Sequence, residues 1–231
     1  MIGIIGAMAI EIKHIHAKMQ GITKSTIGGI DFYEGTLAGK KVLLALCGVG
    51  KVNAAHAASM MVTHFKTKCV INVGIAGGIA PQVGIGDVVI ASSLVQHDVE
   101  ATAFGYALGQ VAGTAEAFWQ ACEELVKKAE SAAKEHMQES KKLHTGTIAT
   151  GDQFIHAPEA KESIWNNFST LCVEMEGAAM AQVCTIAKVP FVAIRAISDK
   201  ADGTAHEDFP TFAAETAELS SAIVMDMVGI I

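Results

Sequence analysis

Along this chain, short uninterrupted apolar runs alternate with longer stretches whose apolar residues recur at helical spacing. Ile2–Ile5 reads as a strand ending at Gly6-Ala7-Met8, and Ala9–Met19 as a helix. Gly29–Leu37 and Lys41–Leu46 read as two strands joined by a turn at Ala38-Gly39. Gly48–Gly50 breaks the pattern, and Val52–Phe65 continues as an Ala- and Met-rich helix. Cys69–Val73 is a buried strand closed by Gly74, Gly77 and Gly78, and Asp87–Val95 is another. A long helix is predicted over Ala115–Glu139, its Lys and Glu turned outward. Strands at Leu143–Thr150 and Leu171–Val173 flank a helix near Pro158–Asn167. Glu176–Ala187 is a helix with almost no polar residue, hence expected to be buried; Phe191–Ile197 is a strand and Phe212–Val228 the closing helix. Strands alternating with helices predict a single α/β domain over 1–231. Its expected form is a three-layer α/β/α sandwich around a central mixed, mostly parallel twisted sheet.

Composition sharpens this picture. Hydrophobic residues make up 51% of the 231 positions and charged residues 18%, so much of the chain must be interior. Aromatics are only 6%, whereas Ala, Gly, Val and Ile are plentiful, which lets helices approach a sheet closely. The formal net charge of −7 argues against a nucleic-acid backbone or an anionic membrane surface as partner. Five scattered cysteines without a CxxC pair read as reduced thiols, and nine histidines supply only a lone HxH at His14 and His16, so no metal site is expected. The N-terminus lacks a basic region and a long apolar run. No signal peptide or membrane span is expected, and the location implied is cytoplasmic.

Ligands of α/β sheets gather beyond the carboxyl ends of the strands, and four places there carry stranded polar groups. Gly3–Met8 followed by Glu11 resembles half of a dinucleotide fingerprint without the full G-x-G-x-x-G; Glu11 taken alone reads as a surface acid favouring a helix start. Asn72–Gly78 offers either close backbone approach to a ligand or a tight turn. In Val173–Ala178, Glu174 and Glu176 at i and i+2 project to one side of an extended segment, unless they are helix-start acids facing water. In Arg195–Asp199, extended geometry puts Arg195, Ile197 and Asp199 on one side. Arg195 is the sole arginine of the chain and, in a buried strand, needs an acid partner; a purely structural ion pair is the bland alternative. Taken together, several acids, one cation and a glycine wall are what cleavage of an N-glycosidic bond requires. Carboxylates stabilise the electron-poor sugar, and an acid neutralises the departing base.

Seven ordered segments then carry a resemblance that runs nearly end to end. They are GIIGAM at 3–8 with Glu11, GVGKVNAA at 48–55, NVGIAGG at 72–78, HDVEATAFGY at 97–106, TGDQFI at 150–155, VEMEGAA at 173–179 and RAISD at 195–199. In these the chain resembles the 5′-methylthioadenosine/S-adenosylhomocysteine nucleosidase family of the nucleoside phosphorylase superfamily. The resemblance implies Asp199 as the acid protonating N7 of adenine and Glu11 as the base activating water, with Arg195 and Glu174 helping to hold that water. It implies that Glu176 binds the ribose hydroxyls, Met175 packs on the sugar and Ser198 orients Asp199. Adenine would stack on Phe154, be read by the backbone of Ile155 and lie against Ala76 and Gly77. Met8, Val49 and Phe209 would line the 5′ pocket, completed by Phe104 and Tyr106 of the neighbouring subunit of a homodimer. No cofactor is implied, and the partner is a small nucleoside. Two features depart from the family pattern. Ala9 and Ile10 stand where many members carry acids, and Ile75 stands where Ser is frequent.

Rival readings remain at this level. A phosphorolytic enzyme would need cations for phosphate that a lone Arg195 must supply. A non-catalytic nucleoside binder has no need of Glu11 together with Asp199. An NAD-dependent oxidoreductase rests on the N-terminal glycine turn alone. Residue chemistry does not rank methylthioadenosine, S-adenosylhomocysteine, 5′-deoxyadenosine and 6-amino-6-deoxyfutalosine as substrates, because an apolar pocket discriminates by only ~1–3 kcal/mol per methylene.

Overall fold

The computed structural model describes residues 1–231. Its strands are β1 (Ile2–Gly6), β2 (Gln20–Ile27), β3 (Ile30–Leu37), β4 (Lys40–Leu46), β5 (Cys69–Gly78), β6 (Val88–Gln96), β7 (Phe118–Gln120), β8 (Leu143–Thr150), β9 (Cys172–Glu174) and β10 (Phe191–Asp199). Its helices are α1 (Ala9–Lys18), α2 (Lys51–Thr63), α3 (Glu123–Lys134), α4 (Pro158–Phe168), α5 (Gly177–Ala187) and α6 (Ala205–Ile230), with a single 3₁₀ turn at Thr102–Phe104. All strands join one 10-stranded sheet.

β1, β5 and β10 are buried along their whole length, because strands covered by helices on both faces must be apolar on both. On one face, Ala57, Ala58 and Met61 of α2 and Ala178, Met180 and Ala181 of α5 close over Ile5, Val70 and Ala193. On the other, Ile12 and Ile15 of α1, Leu125 and Ala129 of α3, and Ile223, Val224 and Met227 of α6 cover Ile4, Ile71 and Ile194. The expected three layers are present. The small side chains of α2 and α5 let those helices pack together while both touch the sheet.

The sheet is mixed. β1 pairs in parallel with β4 and β5, β5 with β10, and β8 with β6 and β9; the pairs β2–β3, β3–β4, β5–β9, β6–β7 and β6–β10 are antiparallel. Five pairings are thus parallel and five antiparallel, β5 being parallel to β1 and β10 and antiparallel to β9. The chain of pairings β5–β10–β6–β8–β9 returns to β5, so these strands close on themselves and β1, β4, β3 and β2 extend from the closed part. The alternation of strands and helices does not announce this closure.

Three elements differ from the sequence pattern. The expected helix over Ala115–Glu139 is strand β7 followed by α3. Ala117 and Trp119 are buried while Phe118 is half-buried and Gln120 exposed, a period of two that pairs with Ser93–Val95 of β6. β2 was not expected at all: five of its first residues are exposed and no apolar face marks it, so only backbone pairing with β3 makes it a strand. α6 begins at Ala205 rather than Phe212 and carries Pro210 in its second turn, losing one amide from the helical ladder.

Candidate active site

A cavity of about 220 Å³ opens where β1, β5, β9 and β10 end. Its lining brings together Glu11, Glu174, Glu176, Ser198 and Asp199 with Met175, Ala76, Gly77 and Phe154, and with Met8, Val49 and Phe209 on the outer side. Arg195 lies beneath it, 1% exposed, and does not line it. Ile155 is buried and lines an adjoining recess of about 40 Å³ with Gly77, Phe154 and Asp199. Phe104 and Tyr106 sit elsewhere on the surface of this chain, Phe104 being 84% exposed.

Glu11 owes its position to the sharp turn from β1 into α1. Its Oε2 accepts the amides of Ala7 and Met8 at 2.8 and 2.9 Å, and its Oε1 accepts the amide of Ile75 at 3.1 Å. The carboxylate therefore caps the start of its own helix and is pinned to β5. It is not a surface acid, being 4% exposed. Burial raises its pKa, against the pull of Arg195 and the three amides. Gly74 makes room for it: a Cβ there would lie 2.5 Å from Oε1. Ile75 contributes its amide to this contact, so the missing serine leaves the backbone bond in place.

Glu174 ends β9, and its carboxylate accepts the amides of Glu176 and Gly177 at the start of α5, at 3.1 and 2.8 Å. The helix-start reading is thus half right. The acid does cap the helix, yet its side chain is only 2% exposed and pairs with Arg195 Nη2 at 2.5 Å. Thr150 Oγ1 donates to it and accepts the amide of Ala178 at 2.8 Å. Arg195 also donates to the carbonyls of Asn72 and Ile194 and to the side chain of Asn72. The only guanidinium is therefore spent inside the protein.

Glu176 does not continue the strand. The backbone bends into α5, and Gly50 donates its amide to Glu176 Oε1 at 2.7 Å. The two glutamates reach one cavity through this bend rather than through strand alternation. Burial raises the Glu176 pKa, and the neighbouring Glu174 adds to the rise. Cys47 nearby is pushed up to about 12 by burial and by Glu176 and Glu11, so it stays a neutral thiol.

Asp199 corrects a further expectation. The β5–β10 register shifts between Ile197 and Asp199, setting Arg195 beside Gly74 and Asp199 beside Gly77. These partners are an odd number of steps apart, so the bulge turns Asp199 to the face opposite Arg195. Ser198 Oγ donates to Asp199 Oδ2 at 2.8 Å and Ala201 donates its amide to Oδ1 at 2.9 Å. Burial raises its pKa over the opposing effect of those two bonds. Phe154 meets Phe209 edge to face at 5.9 Å, closing the apolar side.

Reading the sequence did not single out Asn72, Thr150 and Gly50 as the supports of Arg195, Glu174 and Glu176, although each lies in a quoted segment. The available signal was a polar residue inside an apolar strand for the first two, since buried polar groups require partners.

An acid-rich cavity at the strand ends of a helix-covered mixed sheet, together with the likenesses that follow, defines the class: an N-glycosyl hydrolase with the nucleoside phosphorylase fold. The family model of the phosphorylase superfamily matches residues 1–229. A 5′-methylthioadenosine/S-adenosylhomocysteine nucleosidase from Anoxybacillus flavithermus is 44% identical over 229 residues, 99% of this chain and 97% of that protein. The crystal structure of the nucleosidase of that name from Neisseria meningitidis, in complex with methylthio-immucillin-A, matches with a TM-score of 0.96. It is 40% identical, the match covering 100% of this chain and 99% of that one. The futalosine hydrolase of Helicobacter pylori matches with a TM-score of 0.93 at 35% identity, over 100% and 97% of the two chains. The chain belongs to the 5′-methylthioadenosine/S-adenosylhomocysteine nucleosidase family of the phosphorylase superfamily.

Proposed function

We infer that this chain hydrolyses the N-glycosidic bond of 5′-methylthioadenosine and S-adenosylhomocysteine, releasing adenine and the thioribose. The convergence of Glu11, Glu176 and Asp199 on one cavity carries the reading. As the bond breaks, Asp199 gives its proton to N7 of the leaving adenine, and its raised pKa favours the protonated form this needs. Glu176 holds the ribose hydroxyls and stabilises the positive charge on the sugar. Glu11 takes a proton from the water that attacks C1′, with Glu174 and Arg195 behind it fixing the geometry. Adenine lies between Phe154, Ile155 and the Ala76-Gly77 backbone, Met175 packs on the sugar, and Met8, Val49 and Phe209 receive the 5′ substituent.

Hydrolysis is favoured over phosphorolysis because Arg195 is paired with Glu174 and bonded to Asn72 beneath the cavity and does not line it. A buried phosphate dianion would have no cation opposite it. Assay of adenine release with and without phosphate tests this: adenine and free thioribose are expected, and accumulation of a ribose 1-phosphate overturns it. The likeness to a futalosine hydrolase makes 6-amino-6-deoxyfutalosine the competing substrate to measure alongside 5′-deoxyadenosine.

The reading extends to a cytoplasmic, one-domain protein acting as a homodimer, with Phe104 and Tyr106 of the neighbouring subunit closing the 5′ pocket. It is supported by Val49 at the cavity rim, 46% exposed, and by Val52 and Ile186 on the neighbouring helices, 79% and 73% exposed. No helix is long and apolar enough to cross a membrane.

A further inference from the structure

Two loops meet over the cavity. One, ending at Gly50, donates an amide to Glu176; the other, after β8, carries Phe154. Between them, and outside the cavity lining, lies a charged tie. Lys51 Nζ donates to Asp98 Oδ1 at 2.6 Å and to Gln96 Oε1 at 3.2 Å. Asp98 Oδ2 accepts the amide of Asp152 at 3.0 Å, and Asp152 Oδ1 accepts the amide of Lys51 at 2.8 Å. The ring is closed: each residue bonds to the other two. Lys51 and Asp98 are mostly buried, with side chains 19% and 16% exposed, which makes the pair more durable than a surface bridge. Gln96, bonded to Lys51, also donates to Gln182 of α5, the helix that begins after Glu176.

Lys51 directly follows Gly50, and Asp152 is two residues before Phe154. Any slip between the two loops therefore changes the distance between the group that holds the sugar and the ring that holds the base. We propose that Lys51, Asp98 and Asp152 are positioning residues that set the register between the ribose-binding and adenine-binding loops. The proposal rests on the roles given above to Glu176 and Phe154. It adds that the nucleoside is recognised as a unit because the two loops are locked together, not because each is rigid alone.

Glu176 faces Glu174 from β9, Arg195 from β10, Glu11 from α1 and Cys47 after β4, and the Gly50 amide opposes the rise in its pKa. Loosening that amide leaves Glu176 protonated to higher pH, so the acid limb of kcat/KM moves upward; a change in overall stability alone does not move it. The test compares wild type with Lys51→Met, Asp152→Ala and the double variant. It measures kcat, KM and the pH profile for methylthioadenosine, affinity for free adenine, and Tm. Each single variant is expected to lower kcat/KM about tenfold or more, the worth of a charge-assisted hydrogen bond, while affinity for adenine alone changes less than threefold. The double variant is expected to lose far less than the product of the single effects, since both cut the same tie. Multiplicative losses, an unmoved acid limb, or kcat/KM within twofold of wild type overturn the proposal. Asp152 is exposed, so its variant remains informative if Lys51→Met fails to fold. Failure of the wild-type protein to release adenine speaks against the function reading, whereas the ratios of variants to wild type speak to the tie.

Discussion

At the scale of residues, the site gives chemically similar acids different surroundings. Glu11, Glu176 and Asp199 are all driven toward the protonated form by burial, but only Asp199 is held by a hydroxyl and one amide beside the recess lined by Phe154 and Ile155. Asp199→Asn is expected to retain nucleoside binding and lower kcat by roughly two to four powers of ten; near-normal turnover would assign the leaving-group proton elsewhere. The proposed roles require Glu11 ionised to accept a proton and Asp199 protonated to give one, and both pKa values are raised. The profile of kcat against pH is therefore expected to be a bell. It falls on the acid side as Glu11 and Glu176 protonate and on the alkaline side as Asp199 ionises, and loss of the alkaline limb in Asp199→Asn checks the assignment. Arg195 works differently, as the counter-charge of a buried acid. Arg195→Met leaves Glu174 buried without its partner and should cost about 3–5 kcal/mol of stability, read by denaturant unfolding.

At the scale of elements, precision comes from places where strands stop being regular. The β10 bulge turns Asp199 away from the Arg195 face, and the bend after β9 lets Glu174 cap α5 while Glu176 reaches Gly50. Glycines 74 and 77 on β5 leave the space that Glu11 and Asp199 occupy. A Cβ at Gly77 would lie 2.8 Å from Asp199 Oδ1 and 2.9 Å from the Ala201 Cβ, so Gly77→Ala must displace the acid or the loop behind it. We expect this variant to lose at least tenfold in kcat/KM for a modest drop in Tm; parallel losses of both would make the glycine a packing residue only. Most of the buried elements were legible in the sequence because a continuous apolar run or an apolar helix has few alternatives. β2 was not, because an exposed edge strand has no apolar face to announce it. β7 was not, because three residues of alternation are hidden beside a strongly amphipathic helix.

At the scale of the molecule, burying several acids makes stability depend on pH. Glu11, Glu176 and Asp199 have pKa values raised in the folded state, so the stability they contribute is full below their ordinary values and is lost as pH rises through the raised ones. Asp87 and Asp98 are lowered, burial being overcome by their hydrogen bonds, and lose their contribution as pH falls. Tm is therefore expected to peak on the mildly acidic side and decline toward alkaline pH. The decline should be shallower in Glu176→Gln; a Tm that climbs steadily from acid to alkaline pH would contradict the sign. The sequence by itself determined the layered α/β architecture, the family and the set of acids that share one cavity. Apolar patterning dictates what must be buried, and seven ordered segments are too specific to arise together by chance. Only the tertiary structure decided that β5, β10, β6, β8 and β9 close on themselves, which acid pairs with Arg195, and which face Asp199 takes. Those outcomes depend on register, bulges and contacts between residues from 21 to 123 positions apart, and period-two or period-3.6 patterning carries no information at that range.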